Sequence, residues 1–539
     1  MSDTNPTPKF QVRLPLILAA TLAIGMFIGQ KLPRYDHQVR LLSGSVGTNG
    51  TLDEILRYVE AKYVDSVNVA ELKDEAIAAV LDHLDPHSNY ISPEERKALD
   101  DEMQGEFEGV GIEYLMVADT MQVIAPLSDG PAEKAGVVAG DRIIQIDDTP
   151  MAGVKVNTEL IYKKLRGSKG SPVKLGIRRN AEAMLREITV IRDVIPVHSV
   201  LAAYMLDSLT GYVKVSRFNA NTHKEFMSGI RPMVEEQGMQ DLIIDLRGNP
   251  GGYLEEATQM LSQFFPEDKL LVYTQGRTDK RKEYKSTGRA RFNIQNVAVL
   301  IDENSASASE IVAGAIQDHD RGWIVGRRSF GKGLVQEQYP LSDDGALRLT
   351  IARYFTPSGR CIQRDYKHGQ DYRHEAERRL HNGELSDVNK IHQADSTKFY
   401  TGLGRIVYSS GGVTPDAFVP IDTSFSNEYY TALRRILSQF AARWMENRDK
   451  SQFPGTVQEF MKSYTVSDDL LNELAVYGQK EGVKRNETQL AASRTELKLQ
   501  LKARIAKLLF KDEGLYRVLN DDDPAVEKAL SLMGKELKN

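Results

Sequence analysis

The stretch LIIDLRGNPGGYLEEA, residues 242–257, decides the fold. Leu242 to Leu246 is an apolar run of strand length, Gly248, Gly251 and Gly252 form a turn, and Leu254 to Phe265 carries apolar residues at helical spacing. A second unit of the same kind, AVLIDENSASASEIVAGA, occupies residues 298–315, and its helix is predicted over Ser309 to Gln317. Further strand-like runs lie at Gly211–Val215, Val297–Ile301 and Trp323–Gly326. Strand alternating with helix implies an α/β core, residues 195–425, with helices packed on a largely parallel sheet.

The flanks differ from this core. Residues 51 to about 100 place apolar residues at helical spacing, as in TLDEILRYVEAKYV, and read with the tether before them as an N-terminal helical module, 31–103. Residues 104–194 alternate apolar and polar positions around glycine turns, which predicts a β-rich domain. Beyond residue 425 helical patterns return and define a C-terminal helical region, 426–539. Tyr366 to Lys398 is charged and rich in histidine, and is expected to be a surface insertion.

A chain of 539 residues is too long for one core, which agrees with several domains. Its net charge of -6 supplies no basic field for nucleic acid. One cysteine, Cys361, excludes an intrachain disulfide and a cysteine-based zinc cluster. His368, His374, His381 and His392 match no zinc spacing, so no metal is expected. Near the N-terminus, Lys9 and Arg13 precede an uncharged apolar stretch from Leu14 to Gly29. Residues 1–30 are therefore expected to be an uncleaved signal-anchor, ahead of a cleaved signal or a buried helix, with the bulk of the chain outside the cytoplasm.

The two strand-to-helix turns lie where open α/β sheets present their functional loops. Glycines at 248, 251 and 252 let backbone N–H groups point at a bound oxygen, or simply permit a tight turn. In the second turn Ser305, Ser307 and Ser309 alternate, and one of them is a candidate nucleophile. His319 is not its base: along a helix rising about 1.5 Å per residue it lies roughly 18 Å from Ser307. Ser307 to Glu310 also fits a capping box. A nucleophile there would nevertheless direct its oxyanion at free N–H groups such as that of Ala308. Lys332, between two glycines in GRRSFGKGLVQEQY, is either a solvated turn lysine or an amine drawn into a closed site. As a base its pKa must fall by roughly 3 from about 10.4, equivalent to about 4 kcal/mol, which burial can supply. A Ser-Lys pair needs no histidine.

Seven pieces, in order, resemble the carboxy-terminal processing peptidases, or tail-specific proteases. They are DPHSNYI (85–91), FEGVGIEY (107–114), GPAEKAGVVAGDRI (130–143), DLRGNPGG (245–252), SASASEIVAGA (305–315), GRRSFGKGLVQ (326–336) and GGVTPD (411–416). The likeness covers about residues 50–420. It implies that Ser307 is the nucleophile, Lys332 its general base and Gln336 the residue that orients the lysine. If the segment ending at Gln336 is helical, residues 332 and 336 share a face. The resemblance further implies an oxyanion hole from Ala308 and the Gly251/Gly252 turn. Ser305 and Ser309 then take cap and packing roles.

Residues 104–194 resemble a PDZ domain, whose Phe107, Gly109, Val110, Gly111 and Ile112 would bind a terminal carboxylate while the peptide adds as a strand. The expected fold is thus an α/β peptidase core with an inserted β-rich PDZ domain, an N-terminal helical module and a C-terminal helical region. The expected activity is that of an inner-membrane-anchored, periplasmic or otherwise extracytoplasmic serine endopeptidase acting near the free C-termini of protein or peptide substrates. No cofactor is expected, and the helical regions could serve an adaptor or a homodimer. The alternatives are a catalytically inert PDZ scaffold and, more remotely, an acyl-thioester lyase.

Overall fold

The computed structural model describes residues 50–535 and 537, apart from 118, 128–129, 139, 154–157, 180–183, 279, 367–371, 373, 392–396, 410 and 447. The expected signal-anchor and most of the tether lie outside these residues, as do His368 and His392. Among the described residues no helix is long and apolar enough to cross a membrane. The chain divides into two compact units at Ala76. The first contains α1 (Thr51–Lys62), with Asp53 and Glu54 in its first turn and Lys62 in its last, as the helix dipole favours. It also contains the start of α2 (Val69–Asp82).

In the second unit β1 (Asn89–Ile91) leads into α3 (Pro93–Gln104). Ser92 and Glu95 form a capping box there, Pro93 occupies the first helical position and Gly105 ends the helix at φ 75°. The stretch predicted as wholly helical therefore contains a strand. Three residues are too short to show a period of two, and their pairing with a strand some 250 residues later has no local signal.

The β-rich domain follows as β2 (Glu106–Gly109), β3 (Ile112–Val117), β4 (Thr120–Pro126), the short α4 (Pro131–Lys134), β5 (Arg142–Ile146), β6 (Thr149–Pro150), α5 (Thr158–Leu165), β7 (Pro172–Arg178), β8 (Arg186–Ile191) and β9 (Asp193–Pro196). Its sheet runs β3–β4–β5–β7–β8, so β3 is an edge strand. Val173, Leu175 and Ile177 alternate inward along β7 against Ile161 of α5. The entering β2 and leaving β9 pair antiparallel, so the domain is inserted through a two-stranded stalk.

The core sheet is built from β10 (Val200–Met205), β11 (Thr210–Val215), β12 (Asp241–Asp245), β15 (Asn296–Ile301), β16 (Trp323–Gly326) and β19 (Ala417–Phe418), in that order. Only the β10–β11 pair is antiparallel; the rest are parallel, as the alternation predicts. Three helices, α6 (Thr222–Glu235), α7 (Leu254–Leu261) and α8 (Ala308–Asp318), cover one face through Phe226, Met260 and Val312. Every residue of α8 is buried: its other side chains are apolar or small, and Glu310, Gln317 and Asp318 are hydrogen-bonded. A second sheet comprises β1, β13 (Leu270–Gly276), β14 (Lys282–Lys285), β17 (Leu334–Pro340) and β18 (Ala346–Phe355).

The segment predicted as a surface insertion is more than that. Its α9 (Glu375–His381) places Arg379 at 2% exposure, and Glu384 at 2% pairs with both Arg379 and Arg328. Burial of paired opposite charges is invisible to a composition argument, which reads charge as solvated.

The C-terminal helices α10 (Glu428–Glu446), α11 (Val457–Ser463), α12 (Asp468–Lys480), α13 (Glu487–Ala492) and α14 (Arg494–Asn520) turn their apolar stripes toward one another around Leu433, Leu437, Leu474 and Leu501. The last helix, α15 (Pro524–Leu532), leaves that bundle and covers the second face of the core sheet.

Candidate active site

The two turns that attract attention in the sequence are laced together. Asp302 accepts the Gly248 N–H at 2.9 Å, Ser305 Oγ donates to the Leu246 carbonyl at 2.9 Å, and the Asn249 carbonyl accepts both the Ala306 N–H (2.9 Å) and the Ser309 hydroxyl (3.0 Å). Ser305 and Ser309 are fully buried and committed to these bonds. Ser307 is half-buried and sits at the start of α8 with φ 54° and ψ -113°. A non-glycine residue in that region stores about 1–3 kcal/mol of strain, which surrounding contacts must hold in place.

Two groups hold it. The Glu310 carboxylate oxygen Oε2 accepts the Ser307 N–H at 2.9 Å and the Lys332 N–H at 2.8 Å, so one oxygen ties the two backbones together. Its other oxygen accepts the Ser329 hydroxyl at 2.5 Å and the Gly331 N–H at 2.7 Å. On the carbonyl side, the Tyr354 hydroxyl lies 2.6 Å from the Lys332 oxygen and 3.1 Å from the Ser307 oxygen. Burial pushes the Glu310 carboxyl up to about 7, against the four hydrogen bonds that favour its charge.

Lys332 lies in the loop before β17, not on a helix. Gln336 is on the strand itself, just past a shift of its pairing register between Val335 and Gln336. The lysine Nζ donates to Gln336 Oε1 at 2.9 Å, and the glutamine amide donates in turn to the His87 carbonyl at 3.0 Å. His87 belongs to a turn in which Asp85 accepts the N–H groups of His87 and Ser88 (2.9 and 3.1 Å) and the Thr350 hydroxyl (3.0 Å). Burial, and then the charge of Arg348, bring the lysine down from 10.5 to about 8, with Glu310 and Asp85 opposing. Burial and the nearby lysine also lower His87 to about 4, which keeps it neutral near pH 7.

The glycine turn abuts Ser307. A Cβ on Gly251, whose φ is 100°, would lie 2.8 Å from the Ser307 Cβ and 2.9 Å from the Ala308 nitrogen. The expected oxyanion donors separate here. The Gly251 N–H already donates to Asn249 Oδ1 at 2.8 Å and is not available. Those of Ala308 and Gly252 have no acceptor among the described residues. Ala308 is fully buried, and leaving such a donor unpaired costs about 1–3 kcal/mol, whereas Gly252 is exposed.

The residues expected to take a carboxylate lie on the other domain. Val110 is buried, and the carbonyls of Val110 and Gly111 accept the N–H groups of Ala132 and Leu127, each at 2.9 Å. Gly111 has φ 74°, and its own N–H has no partner among the described residues. Ile112 opens the edge strand β3, which among the described residues pairs with no strand besides β4. Phe107 and Gly109 belong to β2 in the stalk, with the Arg166 guanidinium 4.3 Å above the Phe107 ring. Among the described residues there is no cluster of metal ligands.

Comparison with known proteins adds a further line. Peptidase family S41 matches residues 209–369, and the PDZ domain family matches residues 109–190. The chain is 38% identical over 321 residues to the Carboxy-terminal-processing protease of Bartonella bacilliformis, an alignment that covers 58% of this chain and 71% of that protein. The chain belongs to the carboxy-terminal processing proteases. This protease is also 34% identical over 316 residues to CtpB of Bacillus subtilis, covering 58% of this chain and 65% of that one. To CtpA of the same organism it is 27% identical over 487 residues, 90% of each. Residues 429–511 of the protease match a family of unknown function.

Sequence reasoning did not reach Glu310 except as a capping residue, and it missed Tyr354, Asn249 and the Asp85–His87 turn. Tyr354 is one of many apolar-looking strand positions. Asp85 and His87 stand in a stretch quoted only for its resemblance, and a capping box gave Glu310 a sufficient bland reading.

Proposed function

We propose that the protease is a membrane-anchored, extracytoplasmic serine endopeptidase that recognises protein C-termini through its PDZ domain and cleaves nearby by a Ser-Lys acyl-enzyme mechanism. The observation that carries this reading is Lys332: a half-buried amine lowered to about 8, hydrogen-bonded to Gln336 and tied through Glu310 to the backbone of Ser307.

Neutral Lys332 takes the Ser307 proton as Oγ attacks the scissile carbonyl. The carbonyl oxygen becomes an oxyanion facing the N–H groups of Ala308 and Gly252. When the tetrahedral species collapses, Lys332 returns the proton to the departing amine and the acyl group stays on Ser307. Water then loses a proton to Lys332 as it attacks the ester, and the carboxylic product leaves with Ser307 protonated again.

Substrate capture uses the edge strand β3, to which a peptide adds, and the Gly111 N–H, which faces a terminal carboxylate. The apolar stretch Leu14–Gly29 after Lys9 and Arg13 supports the anchor. The full chain in detergent, given an unstructured protein with a free C-terminus, is expected to cleave it, and Ser307→Ala and Lys332→Ala are not. An amidated C-terminus should slow cleavage. Retained peptide binding without cleavage by the unaltered chain would establish the inert scaffold instead. Protease accessibility of the catalytic part in intact cells, after opening of the outer permeability barrier, tests the location.

A further inference from the structure

The residue just before the glycine turn is fixed from the far end of the chain. Arg247 follows β12 and binds Asp245, with Nη2 2.6 Å from Oδ2 and Nε 3.0 Å from Oδ1. Its backbone N–H donates to Asp245 as well (2.9 Å), and Lys214 donates to its carbonyl. The remaining nitrogen, Nη1, donates to Asp523 Oδ2 at 2.8 Å, across 276 residues of sequence.

Asp523 is the N-cap of α15: its Oδ1 accepts the N–H groups of Ala525 (2.8 Å) and Val526 (3.1 Å). One carboxylate oxygen starts the helix and the other holds the arginine. The helix is seated on the sheet by Ala525, Val526, Ala529 and Leu532 against Ile243, Ala298, Leu300 and Val325. Asn520, just before it, donates to the Tyr204 hydroxyl at 2.8 Å. Gly248, next after Arg247, is held by Asp302, and Asn249 and Gly251 follow in the turn that abuts Ser307.

We propose that Asp523 is a positioning residue for the oxyanion turn, through which the C-terminal helical region holds Arg247, and with it Gly248–Gly252, in place beside Ser307. This rests on the Ser307 reading given above. A partly exposed ion pair contributes little to global stability, so its main consequence is geometric. Asp245 is fully buried; burial raises its carboxyl, but Arg247 and Lys214 more than offset this and hold it well below the usual range. Asp245 therefore fixes one edge of the guanidinium, and Asp523 fixes another. A two-edged clamp resists rotation of Arg247, and the glycines after it have little stiffness of their own.

The test uses the full chain and steady-state cleavage of a fluorogenic peptide. Asp523→Asn keeps a good N-cap but removes the charge. It is expected to lower kcat about 5- to 30-fold, with KM and Tm little changed, because a misplaced donor acts on the transition state. In an Arg247→Gln background the same change should have almost no further effect. Leu532→Ala, which weakens the seat of α15 without touching Arg247, should lower Tm while leaving kcat near the unaltered value.

Unchanged kcat in Asp523→Asn overturns the inference while leaving the Ser307 reading intact. So does a loss of kcat that adds fully to that of Arg247→Gln, or a fall in Leu532→Ala as large as in Asp523→Asn. If the unaltered chain shows no Ser307-dependent cleavage, the reading of the site fails and the inference fails with it.

Discussion

Lys332 Nζ donates to Gln336 Oε1 across 2.9 Å, from a loop to the strand that follows it. The bond aims a flexible amine, and the Gln336 amide is itself fixed by the His87 carbonyl at 3.0 Å. A glutamine oxygen accepts from the amine whether it is neutral or charged, and more strongly when charged, so it orients the resting lysine and favours the ammonium that forms in the transition state.

Gln336→Ala should therefore lower kcat more than it raises KM. A hydrogen bond to a group that is charged in the transition state contributes about 1.5–3 kcal/mol, which corresponds to a loss of roughly 10- to 100-fold. Steady-state kinetics on a peptide substrate will show this. An unchanged kcat would remove Gln336 from the site.

The pH dependence has a definite sign. Lys332 must be neutral to accept a proton, and its neutral fraction grows as pH rises through about 8, so kcat/KM should climb through a midpoint near that value. The Arg348 charge disfavours the ammonium form. Arg348→Gln should raise the lysine pKa and move the ascending limb to higher pH, as a pH–rate profile of the two proteins can show.

Gly251→Ala should abolish cleavage. Its methyl group would stand 2.8 Å from the Ser307 Cβ, on a backbone at φ 100° that alanine rarely adopts. On the proposed mechanism, displacing the adjacent Ala308 N–H costs at least about 100-fold in kcat. Circular dichroism should meanwhile report an unchanged secondary structure.

Tyr354→Phe removes the hydroxyl between the Ser307 and Lys332 carbonyls. Stability should fall by about 1–3 kcal/mol, because the Lys332 carbonyl loses its donor while the Ser307 carbonyl keeps the N–H groups of Glu310 and Ile311, and denaturant unfolding measures that directly. Activity should drop as well, since the strained Ser307 loses one of the two side chains that restrain its backbone.

The core was legible because its strands are apolar runs and its turns are punctuated by glycine. The strands expected at Leu242–Leu246 and Val297–Ile301 form within a residue of those limits, at Asp241–Asp245 and Asn296–Ile301. Of the candidate site, the residues that stand out chemically were named: the serine at a helix start, the lysine between glycines and the turn glycines. What was not legible depends on distant pairing. Tyr354 acts from the second sheet, the strand Asn89–Ile91 finds its partner across the chain, and the insertion buries an Arg379–Glu384 pair that composition assigns to solvent. The helical expectation around Gln336 fails because Leu334–Pro340 pairs with the strand Ala346–Phe355, a tertiary partner that a spacing of four residues does not reveal.

The most direct measurement is mass spectrometry of the full chain after reaction with a peptidyl phosphonate, which captures a serine at its oxyanion-hole geometry. The account predicts one adduct, on Ser307, forming faster as pH rises through about 8 and absent or strongly slowed in Lys332→Ala. An adduct on another residue, or labelling of Ser307 at the same rate without Lys332, would contradict the Ser-Lys site.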